Sequence, residues 1–257
     1  MQVSTSIEFE VPFQGQCLRG DRWVLPRAVR TALLLHGGGS SAADGFGALR
    51  RYLHDRETAT VAFDFVGHGR TGGPQLGTTL QQRVQQVLAV VDSQRLEPEA
   101  LVLIGFSMGA YVAAKAAVQI GARGLCLAIP AAYDAQAYGA PFGPEFTRIL
   151  RSPGSWARSD AFGLVGRYAG HLLVLSAEDD QVVPAEIPLM YAAHAKHCAS
   201  SSHYVVTGSR HNLSEHYEKR PAARDAAYAE IASLCQRVGA ETRAGCDGLF
   251  KRKPDDE

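Results

Sequence analysis

The chain has 257 residues, 26 of them basic and 26 acidic, so its formal net charge is zero and attraction to nucleic acid or an anionic membrane is not expected. Five cysteines, Cys17, Cys126, Cys198, Cys235 and Cys246, are odd in number, scattered and without a C-x-x-C pair, which argues against a disulfide framework or a zinc cluster. The opening "MQVSTSIEFE" lacks a basic stretch followed by an apolar one, and no apolar run approaches the ~18 residues that span a bilayer, so a soluble, cytoplasmic protein is expected.

Short apolar runs alternate with longer amphipathic ones, the pattern of βα units that build a parallel sheet covered on both faces. Eight strands are predicted in chain order: "SIEFEVPF", "QCLRGDRWVL", "TALLLHG", "TATVAFDF", "ALVLIGF", "GLCLAIP", "HLLVLSAE" and "SHYVVTG". The turn-like "QGQ" makes the first two antiparallel, whereas the later runs are continuously apolar, as strands buried on both faces are. Helices are predicted over Asp44–His54, Thr79–Gln94, Met108–Ile120, Ala185–His197 and Leu213–Val238. Glycine, proline and aromatics break any single period over residues 131–170, which reads as an inserted lid. Residues 246–257 are charged and unpatterned, a frayed tail in expectation. The whole chain, 1–257, reads as one α/β domain with an eight-stranded, mostly parallel sheet.

One stretch carries chemistry. "LVLIGFSMGAYVAA" ends a buried strand and begins a helix within a residue or two, with Ser107 at the centre of Gly105-Phe106-Ser107-Met108-Gly109. Such a reversal strains the middle residue and crowds the positions two before and two after it, where glycine is the steric solution. The Ser107 hydroxyl then stands at the carboxyl end of the sheet beside free helix N–H groups, as a nucleophile would.

A serine hydroxyl needs a base to take its proton and a third group to orient that base. His211 follows the last predicted strand in a loop, and three carboxylates, Glu178, Asp179 and Asp180, follow the strand before it. Asp180 is preferred because it opens D-x-x-V-P, whose apolar pair and Pro184 anchor the loop. Glu178 and Asp179 are either alternatives for the acid or solvated loop charges or caps, and Asp134 is a further substitute position. His194 and His197 lie at helical spacing near Cys198 but lack a carboxylate, so no metal site is expected. "LLLHGGGSS" follows the third strand and offers backbone donors for an oxyanion: the N–H of Gly38, with Gly39 its nearest competitor, facing that of Met108.

Taken together these segments resemble the α/β-hydrolase superfamily from Ile7 to about Val238. "LLLHGGGS" is similar to its oxyanion strand and "GFSMGA" to its nucleophile elbow. "EDDQVVP" is similar to its acid loop, "GSRHNL" to its histidine loop, and "FDFVGHGRTGG" to its D-x-x-G-H-G-x-S turn with threonine for serine. The resemblance implies hydrolysis through an acyl-enzyme with no metal or organic cofactor: Ser107 attacks, His211 carries the proton and Asp180 holds the imidazole. It also implies structural roles for Asp64 and His68, and it disfavours dehalogenation and epoxide opening, whose enzymes carry aspartate at the position of Ser107.

Substrate class is less defined, since one fold serves many acyl chemistries. The expectation is a serine hydrolase for small or medium acyl esters or thioesters, with an acyltransferase or a ligand-binding protein as alternatives. Tyr133, Phe142 and Trp156 in the lid either contact an acyl or aryl group or seal the lid onto the core. Arg148, Arg151 and Arg158 either meet an anionic group such as coenzyme A or only solvate the lid.

Overall fold

Gln14 and Gly15 turn the chain through positive φ angles of 45° and 77°, the backbone of a two-residue hairpin whose twist matches its strands. They pair β1 (Thr5–Phe13) antiparallel with β2 (Gln16–Val24), as the "QGQ" turn predicts. The computed structural model of the protein describes residues 5–26 and 28–250. Six further strands follow: β3 (Thr31–Leu35), β4 (Ala59–Phe63), β5 (Leu101–Phe106), β6 (Gly124–Ala128), β7 (His171–Ala177) and β8 (Ser200–Val206). They form one sheet in the order β1-β2-β4-β3-β5-β6-β7-β8, in which β2 and β4 are antiparallel and every pairing from β4 to β8 is parallel.

The helices are α1 (Gly47–His54), α2 (Leu80–Ser93), α3 (Met108–Ile120), α4 (Pro144–Leu150), α5 (Ala161–Val165), α6 (Glu186–His194), α7 (Leu213–Lys219) and α8 (Pro221–Phe250). Two apolar cores, one on each face of the sheet, explain the uninterrupted apolar runs. Leu33, Leu103 and Leu125 point into a core shared with α2, α3, α5 and α6, while Leu34, Ile104 and Cys126 point into one shared with α1, α7 and α8. Among the described residues no helix is long and apolar enough to cross a membrane.

Two boundaries differ from the sequence reading. The helix expected over Leu213–Val238 is two helices, because Pro221 cannot continue α7 and holds Arg220 at φ −137° and ψ 72°. Part of the segment expected as a charged tail is the end of α8, which runs to Phe250; the rest of that tail lies outside the described residues.

Chain order places the site. The path steps from β3 to β4 on one side and then from β4 back across to β5 on the other side of β3. The carboxyl ends of β3 and β5 therefore flank a crevice at a topological switch point, where open α/β sheets bind ligands.

Candidate active site

Ser107 turns β5 into α3 at φ 53° and ψ −116°, a backbone region that costs a non-glycine residue about 1–3 kcal/mol. A Cβ on Gly105 would run into the carbonyl of Gly109, and one on Gly109 into the carbonyls of Leu35 and His36, so both glycines of the motif are steric requirements. The Ser107 N–H donates to the Ala128 carbonyl at 2.9 Å, and the Ala131 N–H to the Ser107 carbonyl at 3.2 Å, tying the turn to the end of β6.

His211 joins this turn to the acid loop. Its Nε2 lies 3.0 Å from Ser107 Oγ, and its Nδ1 lies 2.8 Å from Asp180 Oδ2. The second carboxylate oxygen, Asp180 Oδ1, accepts the N–H groups of Val182 and Val183, each at 2.9 Å, which aims Oδ2 at the ring. This is what the D-x-x-V spacing accomplishes. The other two acids do different work: Glu178 Oε2 accepts the Gly208 N–H at 2.7 Å, and the Asp179 backbone N–H donates to the Ser209 carbonyl at 2.9 Å. Both clamp the acid loop to the histidine loop. Asp134 caps the turn at 135–137 and pairs with Arg158 Nε at 2.6 Å.

Gly38 and Met108 both border the cleft in front of Ser107, and the N–H of Met108, first in α3, has no intrahelical acceptor. A buried polar group holds the loop of Gly38 from beneath. The Phe65 N–H donates to His36 Nε2 at 3.1 Å, which leaves the Nδ1–H of His36 to donate to the Gly37 carbonyl at 2.8 Å. Arg83 donates to His68 Nε2 at 2.7 Å, so the Nδ1–H of His68 donates to the Ser41 carbonyl at 2.9 Å. Burial pulls the His36 imidazole down to about 3, so it is neutral at pH 7, and its 3.9 Å approach to Asp64 is no ion pair. Asp64 instead accepts the N–H groups of Ala43 at 2.7 Å and Arg70 at 2.9 Å, and His68 is likewise lowered by burial and then by Arg83.

Arg83 is 1% exposed and has no carboxylate in ion-pair reach among the described residues; its guanidinium carbon lies 4.9 Å from the centre of the Phe65 ring and 5.1 Å from that of Phe142. The sequence reading passed over Arg83. The signal was there: Arg83 occupies the inward stripe of α2 with Leu80, Val84 and Val87, where an apolar residue is the default.

The cleft measures about 620 Å³, and of the three lid aromatics named from sequence only Tyr133 borders it. Phe142 is buried edge-on against Phe146 at 4.8 Å, and Trp156 packs, partly buried, against the same core. Arg158 is held by Asp134, Ser152 and two carbonyls, and neither Arg148 nor Arg151 borders the cleft. The buried apolar residues of segment 131–170 belong to the core on one face of the sheet, and of the segment only Tyr133 borders the cleft.

A sheet of this topology with this elbow at its switch point defines the hydrolase class. The comparisons agree: a family model described as "Alpha/beta hydrolase family" matches residues 32–233, and the chain belongs to that family. No curated protein matches the sequence. An esterase from Pyrococcus furiosus is 20% identical with a TM-score of 0.68, covering 91% of this chain and 93% of its own. The thioesterase domain from the curacin biosynthetic pathway is 16% identical with a TM-score of 0.64, over 91% and 99%. The haloalkane dehalogenase DatA of Agrobacterium tumefaciens C58 is 14% identical with a TM-score of 0.69, over 91% and 97%. Such likeness shows the fold, and three chemistries on one fold leave the reaction to the site.

Proposed function

We propose that the protein is a serine hydrolase that cleaves small or medium acyl esters or thioesters through an acyl-enzyme. The observation that carries this reading is the continuous relay from Ser107 Oγ through His211 to Asp180, at 3.0 and 2.8 Å, on a strained turn that opens into a cleft. Ser107 Oγ attacks the carbonyl carbon as its proton passes to His211 Nε2, and Asp180 stabilises the imidazolium. The N–H groups of Gly38 and Met108 receive the oxyanion. Collapse returns the proton from His211 to the departing alcohol or thiol and leaves Ser107 acylated. A water then gives a proton to His211 and its oxygen to the acyl carbon, which frees the acid and restores the serine.

Supporting this over a binding role, strain and buried glycine contacts are spent on exposing one hydroxyl, which ligand retention does not require. The test is labelling with a fluorophosphonate alongside a panel of p-nitrophenyl esters and acyl thioesters. Stoichiometric modification of Ser107 with turnover of the panel is expected; a folded protein that neither labels nor turns over any ester overturns the reading.

A further inference from the structure

Apart from Tyr133, segment 131–170 does not line the cleft in front of Ser107. Phe46 and Leu49, from the 3₁₀ turn at Ala43–Phe46 and from α1, form one wall, and Tyr217 and Tyr228, from α7 and α8, form the other, with Phe106 between. The rings of Phe46 and Phe106 lie 5.4 Å apart, and those of Tyr217 and Tyr228 meet at 5.7 Å and 79°. An apolar body is what such walls accept.

Charge sharpens this. Among the described residues no lysine or arginine borders the cleft, whereas Asp44 does, exposed at its edge. The Asp44 carboxylate has no ion pair or hydrogen bond among the described residues. Arg50 pairs with Asp21 at 2.8 Å and Lys219 with Glu215 at 2.7 Å, and Arg210, beside His211 in sequence, does not line the cleft. Aromatic side chains and a carboxylate both favour a cation over an anion, so the aromatic lining and Asp44 act with the same sign.

We propose that this cleft is the subsite for the bulky part of the substrate and that it selects a compact, alkyl-substituted ammonium group, accepts a neutral one and refuses an anion. The inference rests on the reading of Ser107 as the nucleophile of an ester hydrolase, and it makes the preferred substrate class a cationic ester. Coenzyme A and other phosphate-bearing acyl carriers would be disfavoured in this cleft, since a wall with a free carboxylate and no cation repels them.

Binding of three aromatic probes, measured by calorimetry on Ser107→Ala protein, tests this without needing turnover: benzyltrimethylammonium, neutral benzyl alcohol and anionic benzenesulfonate. The ammonium is expected to bind tightest and the sulfonate weakest. Asp44→Asn should weaken the ammonium about two- to fivefold, as for other exposed charge pairs, and high salt should do the same, with benzyl alcohol unchanged in both cases. Tyr228→Ala should weaken all aromatic probes that bind. Equal binding of ammonium and sulfonate, or an ammonium affinity that Asp44→Asn and salt leave alone, overturns the proposal. Hydrolysis of p-nitrophenyl acetate by wild type and its loss in Ser107→Ala tests the hydrolase reading separately, so the two can fail independently.

Discussion

At the scale of single residues, the relay assigns unequal roles to side chains of the same type. Replacing Ser107 by alanine removes the nucleophile and leaves at most oxyanion stabilisation and binding, roughly 10³- to 10⁴-fold over water in other triads. Ester turnover should therefore fall by several orders of magnitude at an unchanged melting temperature; a variant that keeps a tenth of its activity contradicts the assignment. Asp180→Asn should cost on the order of 10⁴ in kcat, because an amide that donates to Nδ1 selects the wrong imidazole tautomer. Asp179→Asn should cost little, since Asp179 contributes its backbone N–H to Ser209 rather than its carboxylate to the ring. Kinetics of the two asparagine variants side by side decide which carboxylate faces His211. Both preferences were legible in the sequence, from the D-x-x-V-P spacing and from the histidine that follows the last strand. The clamp made by Glu178 on Gly208 was not legible, because it joins residues 30 apart whose meeting depends on how β7 and β8 pair.

At the scale of elements, the insertion between β6 and β7 was the least defined by its sequence. Its aromatics offered two alternatives, contact with substrate or closure of the core, and nothing in their spacing chose between them. Packing chose: Phe142, Phe146 and Phe162 are buried in the core with α2, α3 and α6, while Tyr133 alone of the three named for the pocket faces the cleft. Phe142→Ala is accordingly expected to lose about 3–5 kcal/mol of stability, as other buried phenylalanine truncations do. The relative kcat/KM for short and long acyl chains should stay the same in protein that remains folded. Denaturant unfolding together with a chain-length series checks both halves, and a shifted chain preference would return Phe142 to the pocket. The split between α7 and α8 follows from Pro221, a residue that the single helix predicted over Leu213–Val238 did not take into account.

At the scale of the whole molecule, neutral histidines buried beneath the loop of Gly37 and Gly38 couple the site to acid stability. His36 is held at about 3 by burial, against about 6.5 in an unfolded chain. Between those values the unfolded state binds the extra proton and the folded state does not, so stability rises with pH and is lost as pH falls below about 6.5. His68, lowered by burial and by Arg83, acts in the same direction. From pH 7 to pH 5, above the range in which most carboxylates protonate, His36 alone should remove about 2 kcal/mol. Melting temperature followed over that interval should drop, and His36→Asn should flatten the slope while lowering stability at pH 7. A wild-type melting temperature that does not change from pH 7 to pH 5 would contradict the buried neutral state.

Local sequence determined the hairpin, the order of strands and helices, the strained turn at Ser107 and the identities of its partners, because each is written in short-range terms: glycine where a Cβ collides, apolar runs where both faces are buried, an acid and a histidine at strand ends. Tertiary structure alone decided that the insertion joins one core, that the cleft is lined from α1, α7 and α8, and that Arg83 reaches His68 while His36 holds the Gly37 carbonyl. Those outcomes depend on which residues distant in the chain come to share a wall, and that follows from the crossover that takes the chain from β4 past β3 to β5, not from any local pattern.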